Sequence, residues 1–160
     1  MAIDMFLKLD GIKGESADHK HKDTIDILSW SWGGQQTGST HHGSGSGSGK
    51  VSFQDISIHK FVDAGTAPLW KHLADGKHIP KGEVIIRKAG EHALEYFVMK
   101  LENIIISHAS TGGSHGEERL TEHVSLNFGK FKMIYKTQKA DGSGGAPIEM
   151  GWDIPANKPF

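Results

Sequence analysis

Cysteine is absent from this sequence of 160 residues. Disulfides, thiolate nucleophiles and cysteine-based zinc sites are therefore excluded. An excess of one charge is missing too. A net charge of -1 sets up no strong field to draw nucleic acid or an anionic membrane, and copies of the chain meet little long-range repulsion on approach. No apolar run approaches the roughly 20 residues needed to span a bilayer, so membrane insertion is not expected. The opening residues Met1 to Lys8 alternate, with Asp4 and Lys8 where a signal peptide needs an unbroken apolar stretch. A cytoplasmic origin follows as the expectation, with any export proceeding without a cleaved signal peptide.

Catalytic signatures are missing as well. A phosphate-binding loop needs Gly, four residues, then Gly-Lys-Ser/Thr opening a helix. Here Gly49-Lys50 is followed by Val51, and the first glycine position holds Ser44. There is no Gly-x-Ser-x-Gly elbow. The 11 histidines lack the His-Glu-x-x-His spacing. His19 and His21, and the adjacent His41 and His42, read as surface residues rather than a closed metal site. Glu117, Glu118 and Glu122 read as solvated carboxylates. The chain is expected to have no enzymatic activity and no cofactor.

What is plentiful is glycine, with 21 residues, beside a hydrophobic share of only 36%. Both suit one turn-rich β domain over residues 1–160. Ile3, Met5, Leu7 and Leu9 alternate as an opening strand, and residues 10–23 form a polar loop. A second strand is expected over residues 24–35, with Leu28, Trp30 and Trp32 on one side and Ser29 and Ser31 on the other. An ordinary sheet with one solvated face gives the same pattern as a wall built to receive something. Residues 33–49 are too rich in glycine and serine to hold a core position and read as a long mobile loop. A third strand over residues 50–62 changes apolar parity near Gln54-Asp55, which predicts a bulge there.

One helix is predicted over residues 66–75, with Thr66 as cap, Pro68 in the first turn and Gly76 closing the end. Leu69, Trp70, Leu73 and Ala74 form its apolar stripe. Further strands are expected over 84–88, 94–107 and 119–137, with turns at Lys81-Gly82, 90–93 and 111–116. The last strand slips by one position at Gly129, which predicts a bulge that bends it. Residues 94–106 are apolar in both parities, so that strand is expected to be covered on both faces. Phe97, Met99, Leu101 and Ile105 on one parity are the candidates for a lateral contact with another copy.

Met1 to Lys8 with Gly14-Glu15-Ser16, and Ile25 to Gly33 followed by the glycine loop ending at Lys50, resemble the Hcp (haemolysin-coregulated protein) family. So do Asp63 with Pro68-Leu69, Ile86 to Gly90, Thr111 to Ser114, Glu118 to Glu122 and Val124 to Phe128. The resemblance covers nearly the whole chain. It implies a mainly β fold, a two-sheet β-barrel with one short α-helix, assembling as a hexameric ring. Stacked rings form the inner tube of type VI secretion, capped by a trimeric spike and expelled by a contractile sheath. Effector proteins are sheltered in the lumen. On this reading Ser29 and Ser31 are candidate lumen positions. The loop residues Gly38, Ser39, Thr40, His41, His42, Gly43, Ser44 and Gly45, together with the loop over 10–23, are candidates for ring stacking, since mobile loops order on docking. The competing reading is a stand-alone β-barrel module that binds a peptide or glycan.

Overall fold

The computed structural model describes residues 2–36, 50–90 and 93–160. Its main body is a nine-stranded antiparallel sheet. β1 (Ile3–Leu9) pairs with β2 (Ile25–Asp26) on one side and β7 (Ile79–Lys88) on the other. The ladder continues through β8 (Glu95–Gly112), β9 (Thr121–Gln138), β10 (Gly144–Asp153) and β11 (Lys158–Pro159). β6 (Ile56–Phe61) pairs with the first half of β9, and β3 (Ser29–Ser31) pairs with β6. A separate ribbon joins β4 (Gly34–Gln36) to β5 (Val51–Phe53).

β1 and β3 lie at opposite ends of the ladder that runs through β7, β8, β9 and β6. Yet the Ile27 amide donates to the Met5 carbonyl at 3.0 Å, and the next amide, Leu28, donates to the His59 carbonyl at 2.8 Å. Adjacent residues can reach β1 and β6 only if the sheet curls back on itself. This corrects the expectation of two packed sheets closed into a barrel. One sheet curls round, and its circuit is bridged by a bend in the chain rather than closed by a paired ladder. The same bend corrects the single strand expected over 24–35. Ile25 and Ile27 are buried, Trp30 and Trp32 pack on the core in the other parity, and Leu28 at the corner is exposed.

Parity slips elsewhere have similar causes. At Gln54-Asp55 the chain leaves the ribbon for the main sheet, so the expected bulge is a strand break. Across Gly129 the register with β8 does not change: Glu102 stays opposite Lys130, and Ile104 opposite Phe128. β8 and β9 kink together there, with Asn103 at φ 56°; the register shift between them falls at Ile106/His108 instead. The double apolar parity of β8 follows from this kink. Phe97, Met99 and Leu101 face the core before it, and Ile104 and Ile106 after it, so one face is buried and not two.

Lys81-Gly82 is no turn either; both residues lie inside β7. A Cβ on Gly82 would stand 2.7 Å from Leu9 Cδ2 and 2.9 Å from the Lys8 carbonyl oxygen, so this glycine permits close packing. The helix α1 (Thr66–Asp75) is capped by Gly65 rather than Thr66, and ends at Gly76 in the left-handed region, φ 68°. Its Leu69 is fully buried in the core, where the helix covers one end of the curled sheet. Among the described residues no helix is long and apolar enough to cross a membrane.

Candidate functional site

The outward side of β3, β6 and the first half of β9 is a field of small polar side chains. Ile58, Lys60, Val124 and Leu126 point inward, so their neighbours along each strand point out. Register sets Ser29 opposite His59, His59 opposite His123, and His123 opposite Ser110 of β8. The next row runs Ser31, Ser57, Ser125 and His108. The His59 and His123 rings stack with centroids 4.3 Å apart and planes within 5°. Ser29 and Ser31 are exposed. Behind them Trp30 stacks on Phe97 at 5.8 Å, and the Trp32 indole donates to the Gln54 carbonyl at 2.9 Å. Asp55, at the edge of the field, accepts from the Ser107 hydroxyl at 2.5 Å and the Asn127 amide at 2.9 Å.

A second surface is apolar. Residues directly opposite in a sheet share a face, and two core rows run outward along it to exposed ends on β10. In one, Leu7, Val84, Met99, Met133 and Met150 follow in order. In the next, Ile86, Phe97, Tyr135 and Ile148 do so. Exposure climbs along these rows from 0% at Met99 to 45% at Met150, and from 4% at Ile86 to 65% at Ile148. The apolar face of the sheet therefore continues past the part that the described residues cover. The lateral-contact candidates lie elsewhere on the sheet. Met99 and Leu101 are sealed in the core, Phe97 packs against it, and Ile105 lies on the opposite side of β8, half buried. The exposed apolar residues beside them are Tyr135, Ile148 and Met150, on a hairpin that the sequence reading did not identify.

The stacking-loop candidates Gly38, Ser39, Thr40, His41, His42, Gly43, Ser44 and Gly45 lie outside the described residues. The loop over 10–23 is described, and hydrogen bonds fasten it to the sheet. Arg87 donates to both Asp18 carboxylate oxygens, at 3.0 and 2.6 Å, and to Asp4 at 2.9 Å. Asp18 also accepts the backbone amides of Lys20 and His21. These bonds, led by the Arg87 guanidinium, hold the Asp18 carboxyl well below the usual carboxylate range. His21 meets Glu95 at 2.5 Å and tilts over Phe6 with ring centroids 4.8 Å apart. The loop thus covers apolar surface on the outside of β1.

Beneath the helix lies a cluster that the sequence reading missed. Lys60 and Glu122 have no exposed side-chain surface, and Lys60 Nζ donates to Glu122 Oε1 at 2.6 Å. The ammonium spends its remaining donors on the Phe61 carbonyl at 2.8 Å and Asp63 at 3.0 Å. Glu122 also accepts the Thr66 hydroxyl at 2.9 Å and the Trp70 indole at 3.3 Å. Glu122 is therefore no solvated carboxylate. The signal was available: it shares parity with Val124 and Leu126, as Lys60 does with Ile56 and Ile58. Among the described residues no three metal-ligating side chains converge.

Residues 6–135 match the family described as "Type VI secretion system effector, Hcp". The chain is 48% identical to the protein Hcp1 of Pseudomonas aeruginosa over 98% of each sequence. It superposes on the crystal structure of Hcp1 from Salmonella typhimurium with TM-score 0.83 and 40% identity, over all of both chains. A solved type six secretion system protein matches with TM-score 0.93 at 26% identity, over 99% of this chain and 100% of that one. By sequence and by fold, the chain belongs to the Hcp family of type VI secretion system proteins.

Proposed function

We propose that this chain works by self-association, as the subunit of a secreted tube, and not by transforming a bound molecule. A hexamer closes a ring, and rings stack into a tube driven outward by a contractile sheath behind a trimeric spike. Effector proteins occupy the lumen against the face of Ser29 and Ser31. The chain leaves the cell in this assembly. One observation carries the reading: among the described residues the apolar face of the sheet runs on to exposed Tyr135, Ile148 and Met150. Contiguous exposed apolar surface marks an interaction site. A patch that docks on a different patch of the next copy closes a ring when the rotation allows, and a second such contact that does not close gives a filament. The family membership supplies the prior for that arrangement.

Light scattering and negative-stain microscopy on concentrated, tag-free protein test it. The expected result is a hexamer mass and annular particles. Ile148→Asp with Met150→Asp is expected to shift the mass to the single chain while the β-sheet circular dichroism is retained. A single-chain mass for the unmutated protein at high concentration sinks the tube reading and favours a monomeric binding module.

A further inference from the structure

We propose that the stacked His59–His123 pair makes the serine face a proton-coupled docking surface for carboxylate-bearing segments of a protein partner, tightening as pH falls from 8 to 5.5. The inference deepens the reading that this face receives cargo, and rests on it.

The face carries little permanent charge. β3 brings no titratable group to it. β6 brings His59, with Asp55 just before the strand; β9 brings His123; β8 brings His108. Asp55 is held by Ser107 and Asn127. At the far rim the Arg119 guanidinium sits over the Phe61 ring, 3.9 Å from its centroid, and Glu117 shares a recess with His123 and Thr121. The centre of the face therefore offers hydroxyls and imidazoles. Imidazole is the side chain whose charge changes between pH 5 and 8, so the sign of the field over this face is set by its histidines.

The stack adds coupling. The two rings lie with centroids 4.3 Å apart, so one carboxylate can lie across both and accept charge-assisted hydrogen bonds from each. Ser29 and Ser110, on the flanks of the same row, donate to its remaining lone pairs. Proton uptake and carboxylate binding then favour one another reciprocally. A neutral or basic segment gains nothing from the same protons.

The probe is a fluorescein-labelled peptide of alternating glutamate and serine, read by anisotropy against the full chain at pH 8 and pH 5.5. Unperturbed glutamates titrate near ~4.3, so the peptide stays largely anionic across this range. Binding is expected to tighten by about fivefold or more, the low end of coupling between sites. H59Q/H123Q is expected to bring that ratio to about one, while H19Q/H41Q/H42Q leaves it in place. A ratio that survives H59Q/H123Q, or no binding at either pH, overturns the proposal. Should H59Q/H123Q lose its circular dichroism, calorimetry on the unmutated chain decides. At pH 6.5, in two buffers of different ionisation enthalpy, net proton uptake on peptide binding is expected, with the His59 and His123 ring signals moving together by NMR; no uptake overturns it. A hexamer without coupling sinks this inference alone, and a monomer with coupling sinks the tube reading alone.

Discussion

The core-facing side of β9 carries a buried charge near one end and exposed apolar side chains near the other. Near its start Glu122 is wholly enclosed, with Lys60 opposite it and the helix above. Near its end Tyr135 and its partner Ile148 stand open to solvent. An isolated domain arranges these the other way, because burying charge is costly and exposing apolar surface forfeits its transfer energy. The first end is finished within the chain: every donor and acceptor about Lys60 and Glu122 is matched. The second end has its apolar rows but, among the described residues, no cover. The contrast separates a face that is finished by the helix from one whose apolar rows stay open to solvent.

The sharpest way to break that contrast is at the enclosed end. Removing one member of a buried pair leaves the other charge uncompensated, at about 3–5 kcal/mol, whereas replacing both with apolar residues of similar volume is often neutral. Glu122→Ala is expected to lower unfolding stability by that amount in urea, and Lys60→Met with Glu122→Leu to recover most of it. A loss in the double variant equal to that in the single one shows that Thr66, Asp63 and Trp70 depend on the carboxylate itself, and not merely on its charge being balanced.

Midway between the two ends runs the row of Leu9, Gly82, Leu101, Phe131 and Trp152. Gly82→Ala pushes a methyl against Leu9, Ile104 and the Lys8 carbonyl. Overpacking of this kind costs about 1–3 kcal/mol, and a lowered urea midpoint is the readout. Wild-type stability in this variant means that β1 can shift away from β7 freely, and that the middle rows are no tighter than the open end.

Much of this arrangement was legible in alternation alone. Ser29 and Ser31 against Trp30 and Trp32 gave the polar face, and Gly76 gave the end of the helix. Glu122 was legible in parity and was misread because a charged side chain on a core face was assumed to be solvated. Pro147 to Asp153 alternates Ile148, Met150 and Trp152 with Glu149 and Gly151, so the last hairpin was readable too. Other features lay beyond one-dimensional reading. The kink at Asn103 turns a one-sided strand into an apparently two-sided one. The His59–His123 stack depends on register between β6 and β9, which no local pattern encodes. Leu28 sits at a corner that exists only because the sheet curls.

The smallest expected effect sharpens the comparison from outside the core. Arg87 and Asp18 form an ion pair like Lys60 and Glu122, but Asp18 keeps 21% of its side-chain surface exposed. The folded chain holds the Asp18 carboxyl below its ordinary value, chiefly through the Arg87 hydrogen bonds. The unfolded chain therefore binds this proton at higher pH than the folded one. The stabilisation is fully present above the ordinary aspartate range, near ~3.9, and is lost as pH falls below it towards the folded value. Asp26, whose carboxyl is pushed up by burial, works in the opposite sense: the folded chain takes up its proton first as pH falls. The two carboxylates partly offset each other in the whole protein. Asp18→Asn removes only one of them. Its urea midpoint is expected to fall below wild type at pH 7 and to converge on it as pH drops towards 2.5. Because solvent screens this pair, the gap at pH 7 is expected to be smaller than that of Glu122→Ala. A gap of equal size puts the loop over 10–23 on the same footing as the buried cluster, as part of what holds the curled sheet together.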